Sequence, residues 1–285
     1  MVKQSITQAM VISLDDSQRL TGFFEQPGSK RFEVFHAFDG RRDPNPDQFD
    51  HVAFLRRQHR QPSPGEVGCA MSHYLVQREF AISEGLEQDL LLVAEDDARL
   101  SRDTDQVLEQ IQRYGGIIDY AVLATPFDEA GRRELRSVGS KLAQLSLLAR
   151  CVGPRGRRWK YRLGHVDGSV WGAGLYLVSR RAARAYIGLV NELGGLSWAA
   201  DEYALWGPMA DVDVKLLVPN LAGWEGSSTI REVSDIERNR ERRALEATSG
   251  ALSERLRRRI AVRTRLDYLR RVLSVSVRDL LGRGA

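Results

Sequence analysis

Apolar residues follow two rhythms along this chain. Short unbroken runs bounded by polar or turn-forming residues predict buried strands at AMVISL (9–14), FEVFHAF (32–38), LLLVA (90–94), DYAVLA (119–124), VWGAGLYLVS (170–179) and VKLLVP (214–219). Between them, apolar residues recur every three or four positions, the spacing of one helical face. The clearest case is SPGEVGCAMSHYLVQREFAISEG. Ser63 can cap, Pro64 sits at the first helical position, and Glu66 falls where a capping box needs its acid. Val67, Met71, Tyr74, Leu75, Ala81 and Ile82 then carry the helix toward Gly85. Further helices are predicted from Arg102 to Arg113 and over RRAARAYIGLV, where Ser179 is the cap.

Strands alternating with helices give an α/β chain with a mainly parallel central sheet covered by helices. Two stretches interrupt the pattern. Residues 41–64 hold Pro44, Pro46, Pro62 and Pro64 among charges and predict a long loop, with one helical turn around Phe49 to Leu55. Residues 125–170 are rich in Gly and Arg and offer one apolar run, LAQLSLLARCV. No internal repeat is evident.

Composition narrows the class. With 285 residues and 42% hydrophobic content the chain can bury a sizeable core. No apolar run approaches the ~18 residues of a membrane span, and MVKQSITQAMVISL lacks the layout of a secretory signal, so a cytoplasmic protein is expected. Cys69 and Cys151 belong to no pair with metal-ligand spacing and read as ordinary buried thiols. Charge is unevenly placed: residues 251–285 hold ten arginines against Glu254, Asp267 and Asp279, a net +7 that leaves the rest of the chain at −3 within the overall +4. In this tail Leu252, Leu256, Ile260, Leu266, Leu269, Leu273, Val277 and Leu280 follow helical steps with arginines between. A cationic amphipathic helix suits either an anionic membrane surface or packing on the body or a second subunit. Nucleic acid is disfavoured, because the tail nearly lacks aromatic residues and no recognised nucleic-acid module precedes it.

The chemistry concentrates where LLLVA meets Glu95, Asp96 and Asp97. In open α/β sheets ligands collect at the carboxyl ends of strands. Continued strand alternation would project Glu95 and Asp97 together and send Asp96 to the other side. Two carboxylates on one side can share a hard divalent cation through oxygen ligands. The same acids also suit an ordinary acidic turn before a helix, with Arg99 or Arg102 as counter-charge.

The order VISLDDSQR, AFDG, GEVGCAMSH, LLVAEDDARL, WGAGLYLVSRRAARAYI, ADEYAL and VPNLAGWEGSSTI resembles the family 25 glycosyltransferases, which include bacterial lipooligosaccharide galactosyltransferases. The resemblance spans residue 9 to about 231, and GEVGCAMSH followed by EDD is its most specific part. It implies a GT-A, Rossmann-like catalytic domain over residues 1–232, followed by the helical basic tail at 233–285. It also implies an inverting enzyme that moves a sugar, usually galactose, from a UDP-sugar to a glycan acceptor such as lipooligosaccharide, lipid-linked in one reading. Glu95 and Asp97 would hold Mn²⁺ or Mg²⁺ against the donor pyrophosphate. Ser13, Arg19, Gly68, Ser72, His73 and Asp96 would lie around the donor. Asp201, or failing it Glu202, would take the proton from the acceptor hydroxyl.

Physical chemistry supplies reasons for this arrangement. A departing nucleoside diphosphate gathers negative charge that a divalent ion stabilises, and an acceptor hydroxyl needs a positioned carboxylate as base. Structural roles stand beside these. His73 suits a hydrogen-bonded core histidine, Ser72 can bond back to its own helix, and Asp201 and Glu202 can cap one. Gly172 and Gly174 can serve close packing in a strand. His36, His51, His59 and His165 lack zinc spacing and read as non-ligands. Glu95 is one methylene longer than aspartate, so it reaches an ion directly or through water. GPRGRRWKYRLGHVDGS (153–169) has no counterpart in the family pattern and suits a loop that binds an anionic acceptor. Two other classes compete: a non-catalytic relative that binds a membrane or partner through its tail, and a metal-dependent phosphohydrolase, disfavoured for want of a His and Asp cluster.

Overall fold

The apolar runs build a mixed sheet whose interior strands are sealed on both faces. The computed structural model describes residues 4–113, 116–125, 144–153, 161–167 and 170–224, together with 270, 273–277 and 280. Its first half runs β1 (Ile6–Ser13), α1 (Arg19–Phe24), β2 (Glu33–His36), α2 (His51–Gln58), α3 (Pro64–Ile82), β3 (Leu90–Glu95), β4 (Ala98–Leu100) and α4 (Thr104–Gln112). Its second half runs β5 (Tyr120–Val122), β6 (Gln144–Leu145), β7 (Arg150–Cys151), β8 (Arg162–Asp167), β9 (Leu175–Ser179), α5 (Arg180–Leu193), α6 (Tyr203–Met209), β10 (Val214–Val218) and β11 (Ala222–Trp224).

The main sheet has nine strands in the order β2-β1-β3-β9-β5-β10-β8-β6, with β7 also on β8. β1 pairs in parallel with both β2 and β3, and β10 with β5. The parallel expectation holds for these strands and fails at β9, which lies antiparallel between β3 and β5, and at β8, antiparallel to β10. Local pattern cannot give a strand's direction. That is set by how the chain returns to the sheet, and β9 follows β8, an outer strand of the same sheet.

Leu90 to Ala94 are all fully buried. Leu91 and Val93 join a core with Met71, Tyr74, Phe80, Tyr186 and Trp206 from α3, α5 and α6. Leu90, Leu92 and Ala94 join the opposite core with Phe23, Val107, Leu108 and Ile111 from α1 and α4. A strand covered by helices on both faces needs an unbroken apolar run, which is why LLLVA does not alternate.

Capping fixes α3 in register. Ser63 Oγ accepts from the Glu66 N–H at 3.2 Å, and Glu66 returns by accepting from the Ser63 N–H at 2.8 Å. The helix stops at Ile82, before Gly85, and its C-terminal carbonyls are held by the buried Arg180. That guanidinium donates to the Phe80 carbonyl, and to the Ser83 carbonyl at 2.7 Å, while lying 4.1 Å from the Phe80 ring centroid. α5 begins as expected, with Ser179 Oγ accepting from the Ala182 N–H at 3.1 Å.

Other expectations shift. The helical turn predicted at Phe49 to Leu55 is the full helix α2, capped by Asp50, and strand geometry in VWGAGLYLVS begins only at Leu175. The short β4 and β11 form an antiparallel pair that the sequence pattern does not reveal. The expected domain boundary at 232, most of the basic tail and much of 153–169 lie outside the described residues. Within the tail, Val275 is buried and Ser276 Oγ accepts from the Leu147 N–H at 3.0 Å, whereas Leu273, Val277 and Leu280 face outward. No helix among the described residues is long and apolar enough to cross a membrane.

Candidate active site

The site grows from the carboxyl end of β3. Extended geometry ends at Glu95, and Asp96 and Asp97 form a turn into β4. The turn cancels the alternation expected of the three acids. Asp96 and Asp97 both face Arg19, at 4.0 and 3.6 Å, while Glu95 turns toward α3. Arg19 is the first residue of α1, so this counter-charge comes from the segment after β1.

Asp96 is a tied residue. Its Oδ2 accepts from Ser13 Oγ at 2.7 Å and Ser17 Oγ at 2.5 Å, and its N–H donates to the Ile12 carbonyl at 3.2 Å. Ser13, a predicted donor residue, therefore shapes the acidic turn. Ser17 lies in the same polar run after β1 and carries no motif of its own.

Glu95 has a different setting. Its Oε1 lies 3.3 Å from His73 Nε2 and 3.8 Å from Cys69 Sγ, and Trp224 donates a further hydrogen bond. Burial pushes this carboxyl up, but the bonds from His73, Trp224 and Cys69 outweigh it and the net shift is downward. Trp224 arrives by the pairing of β11 with β4, which sets it opposite Ala98. Gly174 makes room for it, since a Cβ there would sit 2.6 Å from the indole nitrogen.

Gly68, Ser72 and His73 occupy one stretch of α3 with distinct tasks. A Cβ on Gly68 would meet the Phe38 carbonyl at 3.0 Å, and one on Gly40 would meet the Pro64 carbonyl at 2.0 Å. The two glycines thus let the loop after β2 lie against the helix. Ser72 pins that loop, accepting from the Phe38 N–H at 2.9 Å and donating to the Gly68 carbonyl at 2.6 Å. His73 is buried, with Nδ1 3.0 Å from the Tyr176 hydroxyl and Nε2 toward Glu95. The reading of both cysteines as ordinary buried thiols needs correction. Cys151, on the short edge strand β7, is exposed, and Cys69 belongs to the site. Its spacing of four from His73 was visible, but its partner Glu95 is far along the chain.

Asp201 and Glu202 lie just before α6, and neither side chain caps it. Glu202 is locked by Arg57, at 2.5 and 2.8 Å, by Gln58 at 3.0 Å and by the Ala199 N–H at 2.8 Å. Asp201 accepts from the Gly172 N–H at 2.8 Å. Burial pushes its carboxyl up, the Gly172 N–H offsets part of this, and the charges of Glu95 and Glu202 raise it further. The Cys69 thiol is likewise raised, by burial first and then by Glu95, Asp201 and Asp97. Carboxylates from two distant segments therefore act on one thiol of α3.

Beside this point a cleft of about 370 Å³ opens over the carboxyl ends of β1 and β2, lined by Leu14, Asp15, Asp16, His36, Phe38 and Asp39 among others. Hydrogen bonds from Arg41, outweighing burial, hold Asp39 down to about 2, so it is charged at neutral pH. Arg42 joins the same lining, and Arg41 binds both Asp16 and Asp39, so the wall presents acids in excess of cations to hydroxyl and N–H donors. Further phosphate-compatible charge lies nearby at Arg19. As for a resident ion, Glu95 and Asp97 carry the carboxylate oxygens that a hard divalent cation takes, but Glu95 turns to His73 and Asp97 to Arg19, and among the described residues the ligand atoms of three groups come together only at Cys69, His73 and Glu95.

A mixed α/β sheet with acids gathered at its strand ends defines an enzyme-like site of the α/β class. Comparison with known proteins makes that class specific. Residues 6–204 match glycosyltransferase family 25, described as LPS biosynthesis protein, and the chain belongs to this family. No curated protein matches. Among solved structures, the inositol-1-phosphate CTP transferase from T. maritima is similar at 11% identity, covering 79% of this chain and 91% of that one with a TM-score of 0.35, a likeness too loose to bear on function.

Proposed function

We propose that this family 25 glycosyltransferase is an inverting, GT-A-type enzyme. It transfers a sugar, galactose in our reading, from a UDP-sugar to a glycan acceptor of the lipooligosaccharide kind. The observation that carries the reading is the acidic end of β3, with Glu95 against α3 and Asp97 facing Arg19, in a chain of this family.

Asp97, with Glu95, would hold Mn²⁺ or Mg²⁺, which when bound supplies positive charge for the departing diphosphate. Arg19 stands over the same acids and would turn to the phosphates. The acid-lined cleft beyond Ser13 would take the nucleoside through its hydroxyl and N–H groups. Gly68 and Ser72 fix the loop that walls this cleft, and His73 orients Glu95. Asp201, raised and held only by backbone N–H groups, is the base: it takes the acceptor proton as the hydroxyl oxygen bonds to C1 and the C1–oxygen bond to the diphosphate breaks. Glu202 is taken up by Arg57, Gln58 and the Ala199 N–H and anchors the segment before α6 to α2. The outward-facing Leu273, Val277 and Leu280 would let the basic tail rest on the cytoplasmic face of a membrane that carries the acceptor.

The test is thermal stabilisation by a panel of nucleotide sugars with and without Mn²⁺, since a true donor stabilises only the state that binds it. The reading expects an ion-dependent rise with UDP-sugars, largest for UDP-galactose. Equal stabilisation by all nucleotides, with or without the ion, would contradict it.

A further inference from the structure

Two residues from one face of α3 and one from the end of β3 bring together a donor set of a different character from the acidic turn. Cys69 and His73 are one helical turn apart, and Glu95 meets both. Their ligand atoms, Sγ, Nε2 and a carboxylate oxygen, all lie within 4.8 Å of one another. A tetrahedral zinc site, with bonds near 2.3 Å to sulfur and near 2.0–2.1 Å to nitrogen and oxygen, requires separations of about 3.4 Å between N and O and about 3.6 Å between S and O. The corresponding distances are 3.3 and 3.8 Å. Both separations from the carboxylate are within a few tenths of an ångström of the tetrahedral values, and the sulfur and nitrogen lie within 4.8 Å of each other.

The surroundings suit the role. His73 Nδ1 is engaged by the Tyr176 hydroxyl at 3.0 Å, the second partner that fixes a ligating imidazole and leaves its other nitrogen facing the ion. Gln77 Nε2 approaches the same hydroxyl at 3.5 Å. The imidazole is fully enclosed while Glu95 keeps 27% of its side-chain surface exposed, which gives an entry path and a fourth corner for water.

We propose that Cys69, His73 and Glu95 form a binding site for a thiophilic divalent ion, Zn²⁺ by ligand type, which shares Glu95 with the all-oxygen site expected at Glu95 and Asp97 and differs from it in its thiolate and imidazole ligands. Thiolate and imidazole select zinc over magnesium or manganese. The inference stands on these three residues and does not depend on the donor or acceptor proposed above.

Cobalt substitution in the full chain tests it. One equivalent of Co²⁺ added to ion-free protein should give the near-ultraviolet thiolate-to-cobalt band and the visible bands of a four-coordinate ion, and Zn²⁺ should abolish both. The chain has only two cysteines. Retention of the thiolate band in Cys151→Ser therefore assigns it to Cys69 even if Cys69→Ser fails to fold. Asp97→Asn should keep the band, and Tyr176→Phe should weaken Zn²⁺ binding about 10-fold. Absence of a thiolate band in the unaltered protein, or its loss in Cys151→Ser, would overturn the proposal, as would its loss in a folded Asp97→Asn protein. A failure of nucleotide-sugar binding would leave these spectra unchanged, so the two readings fail separately.

Discussion

The acidic turn after β3 and the acidic pair before α6 solve the same problem in different ways. Each sets carboxylates side by side in a partly enclosed place, where repulsion would force one to change its environment or its proton. In the turn the backbone does the sorting: leaving extended geometry at Glu95 sends Asp96 to two serine hydroxyls and Glu95 to His73 and Trp224. In the pair, partners from another helix do it. Arg57 and Gln58 of α2 take Glu202, and Asp201 is left with a backbone N–H and a raised carboxyl. Each region thus contains one acid satisfied by structure and one poised for chemistry, and identity of residue type does not say which is which.

That contrast can be broken at several points. The largest effect is expected in the turn, where Asp97→Ala should lower transfer about 1000-fold or more in steady-state kinetics, whereas Asp96→Asn should act mainly through loss of thermal stability. Next comes the proton on Asp201. Its folded value lies above the ordinary 3.8, so the folded state holds this proton more tightly than the unfolded chain. The stability it contributes is present below 3.8 and lost as pH rises through the folded value. Denaturation of ion-free protein across that window should therefore show a decline that Asp201→Asn flattens. The smallest effect is at Ser17: removing one of the two hydroxyls on Asp96 in Ser17→Ala should cost about 1 kcal/mol in a urea titration and leave donor binding in place.

Much of the scaffold was legible because its causes are local. The capping box at Ser63 and Glu66, the cap at Ser179 and the doubly buried run at Leu90–Ala94 appear where the pattern places them. The direction of β9 and the pairing of β4 with β11 were not, since strand direction has no local signature and three-residue strands have no period to detect. The site divides in the same manner. Family resemblance pointed to the acids, to His73 and to Ser72, but not to what each touches. Cys69 and Trp224 reach Glu95 only through tertiary packing, across separations of 26 residues for the thiol and a strand pairing for the indole. The sequence put Asp201 before Glu202 with no contact to support the order, and it is Arg57, in a helix predicted as little more than one turn, that separates them.

The separation of those two acids is the central claim, and paired measurement of turnover and melting temperature in Asp201→Asn and Glu202→Gln tests it most directly. Asp201→Asn should keep or raise the melting temperature, because a neutral amide relieves repulsion from Glu95 and Glu202, while turnover falls about 100- to 10,000-fold. Glu202→Gln should lose about 1–3 kcal/mol of stability with its charged bonds to Arg57, and its folded fraction should turn over within a few-fold of the unaltered enzyme. The reverse pattern, with Asp201→Asn active and Glu202→Gln stable but inert, would contradict the account.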